Sequence, residues 1–124
     1  MDTHLRRLRS FSEASTRGDF AALRSMLADE AELIGDGGGK VPSFGRPLQG
    51  GQRIAQLYLA TSLRCGSALR VELATINGEW GLLRFIDGIL ESVQSFETDG
   101  ERIVRIHVQR NPDKLAQLAA TLNG

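Results

Sequence analysis

Arg84 and Glu91 flank the dipeptide Asp87-Gly88. A two-residue hairpin centred there would set the two side chains opposite each other on one face of a sheet. A guanidinium facing a carboxylate is either the polar spot of a ligand pocket or a structural ion pair at its rim. The pocket reading places Tyr58 and Trp80 on the walls. The ion-pair reading is preferred, because a wet rim avoids the cost of burying two charges. As proton chemistry the pair offers little. An arginine beside Glu91 keeps the carboxylate ionised and weakly basic. Tyr58 is the one donor the sequence suggests across from it.

Other reactive residues carry less. His107 is a residue type suited to general-base work, but a simple hairpin register puts it on the outer face opposite Ser92, with no carboxylate beside it. His4 lies near a fraying end. Cys65, between Arg64 and Gly66, reads as an inert small residue rather than a nucleophile. The run Asp36-Gly37-Gly38-Gly39-Lys40 lacks the spacing of a phosphate loop and the Ser or Thr that follows one. Asp36 as a general base has no oxyanion partner in the pattern. Three glycines weaken folding, so a loop lying close to another chain is the better reason to keep them. In Asn111-Pro112-Asp113-Lys114-Leu115, Asn111 caps a helix, Pro112 sits in its first turn, and Asp113 favours the exposed N–H groups there.

These residues must be positioned by the elements around them. Leu5, Leu8 and Phe11 recur at helical spacing, and Gly18 is a stop signal. Asp19 caps a second helix striped by Phe20, Leu23 and Leu27. A short strand over Ala31–Ile34 precedes the glycine run and Pro42, Pro47 and Gly50-Gly51. A third helix carries Ile54, Leu57, Tyr58 and Thr61 on one face. Asn77-Gly78, Asp87-Gly88 and Asp99-Gly100 then separate strand-like runs over Leu69–Ile76, Glu79–Ile86, Ile89–Glu97 and Arg102–Gln109. These dipeptides suit two-residue turns with positive φ at both positions. The spacing predicts a four-stranded antiparallel meander, followed by a last helix striped by Leu115, Leu118, Ala119 and Leu122. That order is an α+β layer design, helices laid on a curved sheet.

Three two-residue turns also fix the faces. Trp80 falls opposite Thr75, and Val93 opposite Ile106. The inner face takes Trp80, Leu82, Arg84, Glu91, Val93, Ile106 and Val108. The outer face takes Leu83, Phe85, Leu90, Phe96 and Ile103 beside Ser92, Gln94, Arg105 and His107. So many apolar groups on a solvated face imply a partner, a second copy or another domain. One bulge would exchange the faces beyond it.

The chain has 124 residues, one domain's worth, with 15 basic and 15 acidic side chains. The balance excludes whole-surface attraction to nucleic acid or anionic lipid. One cysteine excludes an intramolecular disulfide and a thiolate metal cluster. No apolar run reaches membrane-spanning length, and Met1–Leu5 lacks the apolar core of a signal peptide. The expectation is a cytoplasmic protein.

The order of elements resembles the SnoaL-like branch of the nuclear-transport-factor-2-like (NTF2-like) superfamily. Asp36–Lys40 and Asn111–Leu115 resemble the two signature motifs of the SnoaL-like C-terminal extension of SigJ-type extracytoplasmic-function sigma factors. Arg110 and the stretch Arg17-Gly18-Asp19 also fit. The resemblance implies a single domain over 1–124: a cone of curved sheet closed by three helices, with a C-terminal helix. It implies a regulatory, non-catalytic role without a cofactor. Asp36, Gly37, Gly38, Gly39 and Lys40, with Asn111, Pro112, Asp113 and Lys114, would face the sigma domains of the same polypeptide and, through them, RNA polymerase. Direct nucleic-acid or membrane contact is not implied. The apolar outer face suggests either a homodimer of the domain in isolation or the sigma-facing surface, and the sequence leaves both open. The extension alone uses up the 124 residues, so the chain is either a domain cut from a longer protein or a stand-alone relative. The alternative is a SnoaL-like small-molecule-binding protein or an isomerase- or cyclase-type enzyme, with chemistry near Tyr58, Trp80, Arg84 and Glu91.

Overall fold

A computed structural model describes residues 3–36 and 47–123, with side chains at 3–35 and 47–117. Helix α1 spans Thr3–Arg17 and α2 spans Phe20–Met26. Gly18 turns the chain between them at φ 69°, and Asp19 accepts from the Ala22 N–H at 3.1 Å to cap α2. Strands β1 (Leu27–Asp36) and β2 (Leu48–Gln49) follow, then α3 (Gly51–Cys65). The meander is β3 (Leu69–Ile76), β4 (Glu79–Ile86), β5 (Ile89–Thr98) and β6 (Ile103–Gln109), and α4 (Pro112–Asn123) ends the chain.

The six strands form one sheet in the order β2-β1-β6-β5-β4-β3. The meander is antiparallel throughout. The N-terminal strand is longer than expected. It has ten residues rather than four, and Leu27 and Glu32–Asp36 pair parallel to β6, from Leu27↔Ile103 to Asp36↔Gln109, with a register shift between Leu27 and Glu32. The expected stretch covered only the run Ala31–Ile34, and glycine at 35 hid the strand's end.

Helices α1, α2 and α3 cover one face. Leu8, Phe11, Leu23, Leu27, Ile54, Leu82, Ile103 and Ile106 are fully buried between helices and sheet. Phe11 meets Tyr58 and Phe96 edge-on, with ring centroids 5.0 and 5.4 Å apart. Burying such a ring is worth about 1.5–3 kcal/mol. A smaller cluster lies on the other face. There Leu115 of α4 packs with Leu83 and Val93, flanked by Ala74, Ile76, Phe85 and Leu90.

Two of the three turns form as the dipeptides require, with φ 53° and 85° at Asn77-Gly78 and 53° and 77° at Asp87-Gly88. The third differs. The Asp99 carboxylate accepts from the N–H groups of Glu101 and Arg102, which lengthens the connection to residues 99–102. The register also shifts where β4 meets β5, between Arg84 and Phe85, and where β5 meets β6, between Glu97 and Thr98. Arg84 therefore pairs with Ser92 rather than Glu91, and Phe96 rather than Val93 pairs with Ile106. Trp80 does pair with Thr75.

The shifts exchange the faces of β5. Ser92, Gln94 and Phe96 turn inward, and Val93 turns outward. Ile103 joins the main core as well. The apolar outer face is thus smaller than the sequence pattern implies, and α4 covers part of it. His107 pairs with Ser95, not Ser92, and a carboxylate does stand beside it: Nε2 lies 2.7 Å from Glu97 Oε2.

Candidate functional site

The β5 register shift makes the site. Glu91 is the extra residue between Arg84↔Ser92 and Phe85↔Leu90, so its carboxylate reaches Arg84 diagonally. Arg84 Nε donates to Glu91 Oε1 at 2.9 Å, and Nη2 donates to Oε2 at 3.1 Å. This two-pronged contact matches the planar guanidinium to both carboxylate oxygens. Arg110, at the end of β6, brings Nε to 3.3 Å from Glu91 Oε2.

A second polar chain runs beside the first. Tyr58, on the buried face of α3, donates from Oη to Gln94 Oε1 at 2.7 Å. Gln94 Nε2 donates to Ser92 Oγ at 3.1 Å. Both Ser92 and Gln94 are buried, so these bonds satisfy groups that would otherwise be costly. The Arg84 guanidinium lies 5.9 Å from the Tyr58 ring centroid.

Electrostatics follow from this packing. Burial acts to raise the Glu91 carboxyl. Hydrogen bonds from Arg84 and Ser92 and the charges of Arg84 and Arg110 outweigh it and hold Glu91 below the usual carboxylate range. Burial acts against the Arg84 cation, but Glu91 more than compensates and raises it. Burial pushes the Tyr58 phenol up, well beyond its ordinary value. At neutral pH the site therefore holds an ionised Glu91, a charged Arg84 and a neutral Tyr58. The paired Glu91 is a weakened base.

Tyr58, Arg84, Glu91 and Gln94 line a cavity of about 240 Å³, walled also by Leu33, Leu57 and Val108 and edged by Arg64 and Arg110. Three of the four expected pocket residues, Tyr58, Arg84 and Glu91, meet here. Trp80 does not. It packs against the core further along β4, and its carbonyl accepts from His4 Nε2 at 3.3 Å. Gln94 and Ser92 escaped the sequence reading because their inward orientation depends on the bulge. Cys65 is half-buried at the end of α3. Among the described residues no group of His, Cys, Asp and Glu could hold a metal ion, and no helix is long and apolar enough to cross a membrane.

Asp36 ends β1 opposite Gln109, and Asn111 follows two residues later. The two strands are parallel, so both sequence motifs leave the sheet at the same end. Gly37–Lys40 lie outside the described residues, as does the Asp36 side chain. Asn111 caps α4, accepting from the Asp113 N–H at 3.1 Å, while the Leu115 N–H reaches its carbonyl at 3.0 Å. Pro112, Asp113 and Lys114 are exposed on the first turn.

No family model matches the sequence, and no curated protein matches it. Solved structures do. The chain is similar to the extracytoplasmic-function sigma factor SigJ of Mycobacterium tuberculosis, at 23% identity and a TM-score of 0.75 over 94% of this chain and 45% of that one. It thus spans about half the length of SigJ. A SnoaL-like protein of unknown function from Burkholderia thailandensis matches at 19% identity and a TM-score of 0.64, over 85% of this chain and 91% of that one. An epoxide hydrolase of M. tuberculosis resembling the LEH type matches at 19% identity and a TM-score of 0.56, over 92% of this chain and 82% of that one. At such identities the likeness establishes the fold: a curved, unclosed sheet with four helices, of the NTF2-like and SnoaL-like kind.

Proposed function

We propose that this is a regulatory, non-catalytic domain of an extracytoplasmic-function sigma factor. It contacts the sigma domains of its own polypeptide and tunes their activity in transcription initiation. The observation that carries this reading is the parallel pairing Asp36↔Gln109. It brings the starts of Asp36–Lys40 and Asn111–Lys114, the two strings that resemble SigJ-type signatures, to one end of the sheet. The likeness to SigJ, over nearly all of this chain, is consistent with it. Arg84 lowers the basicity of Glu91, which fits a non-catalytic reading. A regulatory surface needs different contacts in the active and inactive states, and these two strings would supply them.

The test is the mass of the endogenous polypeptide, detected with an antibody against this domain. A band much heavier than 13.5 kDa, containing peptides of sigma domains, is the expected result. In that polypeptide Lys40→Glu should change transcription output without changing the domain's thermal stability. A band at 13.5 kDa would overturn the intramolecular mechanism.

The cavity favours a second reading, a stand-alone small-molecule-binding protein or an isomerase- or cyclase-type enzyme. Its volume and polar lining suit a small ligand, and the fold likeness extends to an epoxide hydrolase. Turnover of a small ketone, lactone or epoxide, lost in Glu91→Gln, would establish it.

A further inference from the structure

The hydrogen bonds around the cavity leave donors open and take up the strong acceptors. Arg84 spends Nε and Nη2 on Glu91. Its Nη1 meets no acceptor among the described residues, so both N–H groups there stay open. Gln94 spends its carbonyl on Tyr58 and one amide N–H on Ser92, and the second N–H stays open. Both Glu91 oxygens accept from Arg84, and Oε2 also faces Arg110 at 3.3 Å. Tyr58 and Thr61 give their protons to Gln94 and to the Leu57 carbonyl. That leaves two hydroxyl oxygens, weaker acceptors than a carboxylate. Arg84 and Gln94 line the cavity from neighbouring inward positions, because Arg84 pairs with Ser92, two residues before Gln94 on β5.

We propose that this cavity binds a small neutral carbonyl compound, with Arg84 Nη1 and Gln94 Nε2 donating to its oxygen. The proposal deepens the small-molecule-binding reading and rests on it. The apolar body lies against Leu33, Leu57 and Val108. The volume, about 240 Å³, falls below the ~300 Å³ at which pockets for drug-sized molecules begin. It therefore limits the ligand to about one small ring.

The charges already present select a neutral ligand. Arg84 and Glu91 pair, Arg110 also faces Glu91, and Arg64 is exposed at the rim, where water serves it. An anion must compete with Glu91 for Arg84, and a cation meets a carboxylate that Arg84 already holds. An alcohol accepts the same bonds, but its own proton finds no strong acceptor. A carbonyl oxygen has two lone pairs and no proton, so it meets the open N–H groups without breaking a contact.

Calorimetry and thermal unfolding of the 124-residue chain test it. Cyclohexanone is the probe, with cyclohexanol, cyclohexylammonium and cyclohexanecarboxylate as controls on the same ring. Cyclohexanone should bind saturably and raise the Tm, because a ligand of the native state stabilises it. Each control should bind more weakly, cyclohexanol by about fivefold. Gln94→Met should weaken cyclohexanone by about fivefold, the loss of one hydrogen bond. The infrared carbonyl stretch of the bound ketone needs no variant, and decides the matter where Gln94→Met does not fold. It should lie at or below its frequency in water, since accepted hydrogen bonds weaken the C=O bond. An alkane-like frequency, equal binding of cyclohexanol, or tighter binding of cyclohexanecarboxylate would overturn the proposal and leave the small-molecule reading standing. No saturable binding of any probe up to about 10 mM would remove both.

Discussion

Arg84 grips Glu91 with two hydrogen bonds, although its backbone partner across the sheet is Ser92. The one-residue shift in β5 makes the diagonal possible. The pair is partly buried, with side-chain exposures of 14% and 20%. Removing one partner leaves the other charge uncompensated. Glu91→Gln should therefore destabilise the fold by about 1–3 kcal/mol, less than a fully buried pair because solvent reaches the rim. The double variant Arg84→Met, Glu91→Leu should lie closer to the parent than Arg84→Met alone or Glu91→Leu alone. Urea denaturation of all four proteins closes the cycle, and a double variant as weak as the summed singles would refute the coupling.

The same pair sets an acid limb of stability. Glu91 titrates lower in the folded chain than its ordinary value of 4.5. A lowered carboxylate contributes its stability above the unfolded value, and that contribution fades as pH falls through the folded one. Between about pH 5 and pH 2 the parent should lose more stability than Glu91→Gln does. Parallel denaturation curves for the two proteins over that range would contradict the assignment.

Tyr58 is the sole tyrosine in the chain, so its phenol reports without interference. Burial raises it, and its hydroxyl donates to Gln94. A raised phenol contributes stability that is complete below the unfolded value of 10.0 and fades as pH rises beyond it. The tyrosinate absorbance should therefore appear only as the protein unfolds in alkali. Tyr58→Phe should cost about 1–3 kcal/mol, since the Gln94 oxygen loses its buried donor. A reversible phenol titration near pH 10 in the folded protein would show that Tyr58 is open to water.

Much of this architecture was legible because it rests on local rules. Asn77-Gly78 and Asp87-Gly88 specify tight turns through positive φ, and Asp19 and Asn111 specify helix starts through one side-chain oxygen each. What escaped depends on longer-range pairing. Nothing local marks Glu91 as the residue that a bulge absorbs, yet that bulge decides that Gln94 and Phe96 face the core. Asp99-Gly100 looks like the other turn dipeptides. Its aspartate instead binds two backbone N–H groups and lengthens the loop. The site was half legible for the same reason. Tyr58 follows helical spacing, and the Arg84–Glu91 contact survives the shift, whereas Trp80 sits too far along β4 to join them.

Gly81 tests the bulged register directly. A Cβ there would stand 2.6 Å from the Gln94 carbonyl oxygen and 2.6 Å from the Ile76 Cδ1. The isoleucine tip can move, but the backbone oxygen is held by the sheet. Gly81→Ala should destabilise by about 1–3 kcal/mol, the cost of overpacking a close contact. A neutral Gly81→Ala in thermal unfolding would mean that β4 and β5 are not as close as described.

Asn111 separates helix capping from partner recognition. Its side-chain oxygen accepts from Asp113 N–H, and aspartate can make the same bond. Asn111→Ala should cost about 1 kcal/mol, and Asn111→Asp should cost little or nothing. If capping is the whole role, transcription output in the intact polypeptide should track stability, with Asn111→Asp behaving as the parent. If the residue also contacts the sigma domains, Asn111→Asp should alter output while leaving the Tm unchanged. The added negative charge sits on the exposed first turn beside Asp113, where a docked surface would meet it and the fold would not. Thermal unfolding and a promoter-reporter assay on the same two variants therefore distinguish a helix start from a contact.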